Sequence, residues 1–356
     1  MAIWMVRAGS HGYFENKFIA DKKLYITKDG LDADLGKLAD REALVQKLGE
    51  TYPQDGLGRR RNHASQLWPF AHSIAKGDWV VLPRKTDRTI CVAEVTGDYQ
   101  FDAKAENPFF HSRTVKWIKE GIPRTHFGQD LLNSFGAFMT VCRIERNEAE
   151  RRLKAMAANH WGPEKLSDIV KLGKSSGTAV APEASDASDA VDVAIDLEAA
   201  GQDQIAKLVM ARFKDHGLAR LVEAILQAQG YSTHRSPKGA DGGVDIIAGA
   251  GPLGFGEPRL CVQVKSHVNT PAGIKAYNEL GGAMKKVRAT QGLFVSWAGF
   301  TKQAEDAARD EFFSVRLWSQ RELFDALFEV YDRLPAEIRA ELRLQRIWTV
   351  APVDGE

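Results

Sequence analysis

The sequence predicts two mixed α/β domains in series, and three observations carry that prediction. Residues 1–146 hold short β-branched runs separated by turn residues, whereas residues 204–330 alternate such runs with amphipathic helical stretches. Between them, GTAVAPEASDASDAVDVAIDLEAAG is rich in Ala, Ser and Asp, and no Lys or Arg occurs between Lys174 and Lys207. That composition buries too little apolar surface to fold alone, so residues 173–203 read as an acidic flexible linker. A chain of 356 residues, 44% hydrophobic and 27% charged, is long enough for two cores.

In the first domain, residues 4–7, 23–27, 78–82, 89–95 and 138–142 read as strands and 39–48 as a helix. Gly77-Asp78 before a strand, then Pro83-Arg84-Lys85 and another strand, resembles the small barrels of the PUA-like superfamily, which includes readers of modified nucleotides. The resemblance implies that residues 1–146 recognise DNA or a modified base in it. Trp68 and Trp117 lie outside the clearest strands and are candidate walls of a base pocket, because every base offers a π-face; an aromatic residue here suits a core equally well. Arg59-Arg60-Arg61 reads as a loop run after Gly56 and Gly58, and Arg113, Lys116, Lys119 and Arg124 surround Trp117. Both clusters suit contacts to DNA phosphates, and both also suit a plain solvated face.

Residues 147–172 read as a helical extension, with one helix over 147–158 and a second over 163–172. The second domain opens with helices over 205–213 and 218–231. Strands follow at 244–247 and 260–264, then a helix at 277–287 and strands at 291–297 and 315–318. This order predicts a central sheet covered on both sides by helices. Ser296 and Trp297 end one strand, near where a site at strand ends would sit. A helix over 320–334 and a last one over 336–348 complete the chain, and residues 331–356 read as a helical tail available for packing or dimer contact.

Chemistry concentrates in residues 239–267, GADGGVDIIAGAGPLGFGEPRLCVQVKSH. Two apolar strands flank a Gly/Pro-rich turn, and a hairpin turning near Gly254 pairs residues whose numbers sum to about 508. Asp245 then faces Gln263, and Lys265 lies two residues on, on the same face, while Val262 and Val264 point to the core. A carboxylate, an amide and an ammonium on one face suit phosphodiester hydrolysis. Asp245 and the Gln263 carbonyl offer oxygen ligands to a hard divalent cation, Mg2+ or Mn2+, and Lys265 can orient water or neutralise charge on phosphorus. The same spacing suits an ordinary half-exposed ion pair.

These residues resemble the Mrr-type restriction endonucleases of the PD-(D/E)xK superfamily, in the branch where Gln replaces the acidic residue of the second motif. The resemblance runs from about His216 to Phe328 through LARLVEAILQAQGY, DGGVDII, VQVKS, YNELGGAMKKV, QGLFVSW and GFTKQAEDAA. It implies a three-layer α/β/α nuclease domain with Asp245 as a metal ligand, Gln263 at the second-motif position and Lys265 as the catalytic lysine. Members usually carry a Glu where this chain has Ala219. Glu223, one turn on, either reaches toward the metal or is solvated at the edge of the apolar stripe. Lys285 and Lys286 are candidate phosphate contacts, or complement the dipole of their helix.

The net charge of +1 neither favours nor excludes nucleic acid. Cys91, Cys142 and Cys261 lack metal-ligand or disulfide spacing and read as buried thiols in a reducing compartment. No signal peptide or membrane span is evident, so a cytoplasmic protein is expected. The family resemblance implies a Mg-dependent restriction endonuclease active against foreign or modified DNA, and two-strand cleavage implies a homodimer. A structure-selective repair nuclease, a catalytically decayed reader and a ligand-triggered nucleic-acid-binding protein remain alternatives.

Overall fold

The computed structural model describes residues 1–9, 11–137, 139–164, 196–236 and 243–348. The chain divides into two compact units between Asp203 and Gln204.

The first unit is built on strands β1 (Ile3–Val6), β2 (Lys23–Ile26), β3 (Trp79–Pro83), β4 (Thr89–Phe101), β5 (His111–Pro123) and β6 (Val141–Arg143), ordered β2-β5-β4-β3-β1-β6. Only β1 and β3 run parallel. Among the described strands no pairing joins the edges β2 and β6, so the sheet is open and the expected barrel closure is not seen. The residues explain why. Trp4, Val6, Val80 and Leu82 are buried on one face while Ile3, Met5 and Val81 are buried on the other, so both faces need cover. Helices α1 (Glu15–Asp21), α2 (Arg41–Thr51) and α3 (Leu57–His72) cover the first face, and α4 (Gln129–Phe135) and α5 (Ala149–Ala158) the second.

Two elements here differ from the sequence reading. The arginine run 59–61 lies inside α3, not in a loop, and α3 buries His63, Gln66, Leu67 and Phe70, an i, i+3, i+4, i+7 stripe. Residues 111–123 form the long strand β5, so Trp117 stands in a strand. The helix expected over 163–172 lies mostly outside the described residues.

Helix α6 (Leu197–Arg212) begins within the stretch expected to be a flexible linker, and residues 173–195 lie outside the described residues. Asp196 starts it by accepting the Ala199 N–H at 2.9 Å, which satisfies one of the donors a helix start leaves open.

In the second unit, α7 (His216–Ala228) leads to β7 (Tyr231–Arg235), β8 (Ile246–Ala250) and β9 (Gly256–Lys265). Then come α8 (Ile274–Val287), β10 (Gln291–Ser296), α9 (Lys302–Asp310), β11 (Val315–Trp318), α10 (Gln320–Val330) and α11 (Ala336–Leu342). The sheet order is β11-β10-β9-β8-β7, with β9, β10 and β11 parallel and the β7-β8-β9 pairs antiparallel. One face packs on α7, α10 and α11, and the other on α8 and α9, which is the three-layer core. Helix α11 is shorter than expected and is no free tail: Ile338 and Leu342 are buried beside α7, and Arg220 forks onto Glu341 at 2.8 and 2.6 Å. No helix among the described residues is long and apolar enough to cross a membrane.

Candidate active site

The register of β8 with β9 sets the site. Ile246 pairs with Val262, Ile247 with Cys261, Ala248 with Leu260 and Gly249 with Arg259, so each pair sums to 508 as expected for the hairpin. One residue before β8 the register slips: Ile246 already pairs with Val262, yet the Asp245 N–H also reaches the Val262 carbonyl, at 2.9 Å. Gln263 lies on the face that also carries Cys261 and Phe294 and is covered by α8 and α9, and the Asp245 carboxylate is near enough to act on Cys261 of that face. Lys265 ends β9, the central strand, on that same face and beside Ser296 of β10.

Backbone and neighbouring groups hold each side chain. The Val264 N–H donates to Asp245 Oδ2 at 2.7 Å, a charge-assisted bond that fixes the carboxylate against the strand. Gln263 is 1% exposed, so its amide needs partners. In the orientation that satisfies both ends, its nitrogen donates to the Ala276 carbonyl in the first turn of α8, and its oxygen accepts from Lys265 Nζ, each at 3.2 Å. Gly243, at φ +86°, passes close enough that a Cβ there would stand 3.3 Å from the end of the Gln263 amide. The Ser296 hydroxyl is buried with no hydrogen-bond partner. Neither Gly243 nor the Val264 N–H was singled out by the sequence reading; the only signal for the former is the paired glycine in DGGVD.

Burial works against ionisation of the sulfhydryl on this face. Burial, helped by Asp245, pushes the Cys261 thiol up to about 11. Cys91 and Cys142 are pushed up to about 12 and about 11 by burial as well.

Other candidate residues sit elsewhere. Glu223, on α7, accepts from Thr233 Oγ1 at 3.2 Å and pairs with Arg235 at 3.4 Å, so its carboxylate is directed at β7. No group of three His, Cys, Asp or Glu residues suited to a metal ion occurs among the described residues. Lys285 and Lys286 are exposed in the last turn of α8, about 17 Å of helix from its start near the site. Trp297 packs on Phe324 in the core of the opposite face.

In the first unit, Arg59 pairs with Asp55 at 3.4 Å and Arg60 donates to the Pro53 carbonyl at 3.1 Å, while Arg61 is exposed. Arg113 is buried, and Arg124 is bound by Asp203, so the basic cluster near Trp117 reduces to the exposed Lys116 and Lys119. Trp68 lies in α3, stacked 3.7 Å from His72, and Trp117 in β5 has a buried indole N–H without a partner. Both rings pack against the same core cluster.

Residues 210–327 match the Mrr catalytic-domain family, described as restriction endonuclease, and residues 4–143 match a domain of unknown function, DUF8426. No curated protein is similar enough to count as a relative. Among solved structures, the DNA modification-dependent restriction endonuclease AspBHI is 16% identical over 82% of this chain and 74% of its own, with a TM-score of 0.33. The MspJI restriction endonuclease in complex with a 27-mer oligonucleotide is 15% identical over 95% of this chain and 71% of its own, with a TM-score of 0.29. A protein of unknown function is 17% identical over 36% of this chain and 78% of its own, with a TM-score of 0.27.

Proposed function

We propose that this chain, whose residues 210–327 form an Mrr-type restriction endonuclease domain, is a metal-dependent DNA endonuclease working at Asp245, Gln263 and Lys265. The observation that supports the reading is that Asp245 is bonded to the Val264 N–H, between Gln263 and Lys265, whose own side chains meet at the end of the central strand. Asp245 and the Gln263 carbonyl oxygen would hold Mg2+ or Mn2+. One carboxylate and one amide suit an ion that keeps several waters and takes further oxygens from a substrate phosphate. Bound there, a divalent ion supplies charge neutralisation at the phosphate and a lowered pKa for water.

The chain's own residues do the rest. The Val264 N–H holds the Asp245 carboxylate in one orientation, and the buried Gln263 amide holds the Lys265 ammonium at the strand end. Lys265 neutralises charge that develops on the phosphate oxygens, where a fixed ammonium acts without reorganising. Residues 1–146 would recognise the DNA, with Lys116 and Arg61 on the backbone and Trp68 and Trp117 walling a base pocket. The partnerless Trp117 N–H supports that pocket, since a base-edge acceptor would satisfy it. Two-strand cleavage would use a homodimer, one centre per strand.

The test is plasmid cleavage with Mg2+ or Mn2+ on methylated and unmethylated DNA. Wild type is expected to cut, and Asp245→Ala and Lys265→Ala each to lose cutting while still shifting DNA on a gel. A second reading, a reader with a decayed nuclease, is suggested by Glu223, whose carboxylate is bound to Thr233 and Arg235 rather than directed at the site. Wild type that binds in metal yet leaves every substrate intact would decide for it.

A further inference from the structure

We propose that the Ser296 hydroxyl is a positioning group of the candidate active site, taking the Lys265 ammonium when a divalent cation claims the Gln263 oxygen. This rests on the reading of Asp245 and Gln263 as metal ligands.

Strand pairing brings the two residues together. Ser296 ends β10 and is the residue that pairs with Lys265 in the parallel ladder between β9 and β10. Phe294, two residues earlier, is buried on the face under α8 and α9, whereas Val295 and Trp297 are buried on the other. Alternation therefore puts Ser296 on the face of Gln263 and Lys265, with neighbouring strands about 4.8 Å apart. The pairing is not frayed at this end. The Trp297 N–H donates to the Lys265 carbonyl at 2.9 Å, and in the turn that follows the Gly299 N–H donates to the Ser296 carbonyl at 3.1 Å.

The hydroxyl itself is idle in this arrangement. Ser296 is 1% exposed, and its Oγ is buried without a hydrogen-bond partner. Most buried hydroxyls are bonded, because leaving one unpaired forfeits the hydrogen bonds that it made to water in the unfolded chain. Alanine would end the strand without that cost, so the resting fold alone does not account for a serine here.

The neighbouring lysine does. Its ammonium has three donors and no acceptor. One donor goes to the Gln263 oxygen at 3.2 Å, in the amide orientation that satisfies both ends. That oxygen is also the one offered to a divalent ion. Two cations sharing one oxygen of a side chain only 1% exposed repel each other, because little water screens them. Gln263 cannot turn its other end to the ammonium, since the amide nitrogen is itself a donor and is held by the Ala276 carbonyl. The ammonium then needs another acceptor within a bond rotation, and the hydroxyl of the paired residue is an acceptor with no donor of its own. Held there, Lys265 keeps two donors for the oxygens of a phosphate.

The experiment measures Mn2+ uptake by the full-length chain without DNA, read as loss of the free-ion signal in electron paramagnetic resonance, with thermal melts in EDTA alongside. Ser296→Ala and Ser296→Cys are each expected to weaken Mn2+ binding about tenfold, the worth of one hydrogen bond to a charged group. Ser296→Thr, which keeps the oxygen, should bind as wild type does. In a Lys265→Met background, Ser296→Ala should leave Mn2+ binding unchanged, because no ammonium is left to be housed. In EDTA, Ser296→Ala should melt no lower than wild type, since the hydroxyl has no partner to lose. Equal Mn2+ binding by wild type and Ser296→Ala, or a loss that persists without the ammonium, overturns the proposal. So does a lower melting midpoint in EDTA, which would mean that the hydroxyl is already bonded in the resting fold. Mn2+ uptake that depends on Asp245 but not on Ser296 sinks only this role and leaves the metal site standing; wild type that takes up no Mn2+ sinks the metal-dependent reading and this proposal together.

Discussion

Gly243 is the residue on which the site's geometry leans most narrowly. It has a positive φ, and a Cβ there would crowd the Gln263 amide at 3.3 Å. Gly243→Ala should therefore cost about 1–2 kcal/mol from backbone conformation alone, read as a lower denaturation midpoint. It should also reduce cleavage more than that loss explains, because the amide that holds Lys265 must shift. His63, buried in the first unit, is a second single-residue case. Burial, with Lys28 beside it, holds its imidazole down at about 4 against an ordinary 6.5. The folded state thus refuses a proton that the unfolded chain accepts. Its contribution is intact above pH 6.5 and is lost as pH falls from there toward 4. The unfolding midpoint should drop across that window, and His63→Gln should flatten the drop.

Elements show why some of the fold was legible and some was not. The β8–β9 hairpin could be read from the sequence because Val262 and Val264 alternate with Gln263 and Lys265, and parity alone then assigns the faces. Strand β5 and helix α3 could not, because their charged residues look like surface. Arg113 of β5, 4% exposed, donates to the Phe70 and Ala71 carbonyls in the last turn of α3 at 2.6 and 3.0 Å, and no local pattern announces partners forty residues away. Arg60 also looks like surface in the sequence, but α3 turns it back onto the Pro53 carbonyl seven residues earlier. Arg113→Ala should destabilise the protein by about 3 kcal/mol, since it strands helix-end carbonyls in the interior. Arg113→Lys should recover little, because an ammonium cannot reproduce the fork, and thermal melts of the two variants compare them directly. Composition misled in the opposite direction at 197–203, where an acidic, Ala-rich stretch is helical because Asp196 caps it and Asp203 meets arginines.

For the whole molecule, the proposed stoichiometry has a kinetic signature. If each chain brings one centre, linear product from closed plasmid should rise with more than the first power of protein concentration, while nicked circles rise with the first power. A mixture of wild type with excess Lys265→Ala should shift the product toward nicked circles. First-order formation of linear DNA would mean that one chain makes both cuts.

The hairpin also has a use outside catalysis. Between the Gly249–Arg259 pair and the Ala250–Gly256 pair the register slips, so the tip beyond is joined to the site through an irregular step rather than a continuous ladder. Leu253 and Phe255 at that tip are 76% exposed and sit at the opposite end of β9 from Lys265. A fluorophore, an affinity tag or a small inserted domain placed between Pro252 and Gly254 would leave the pairs from 246 to 249 in step, which makes this turn the handle by which the enzyme can be watched on DNA without touching its chemistry.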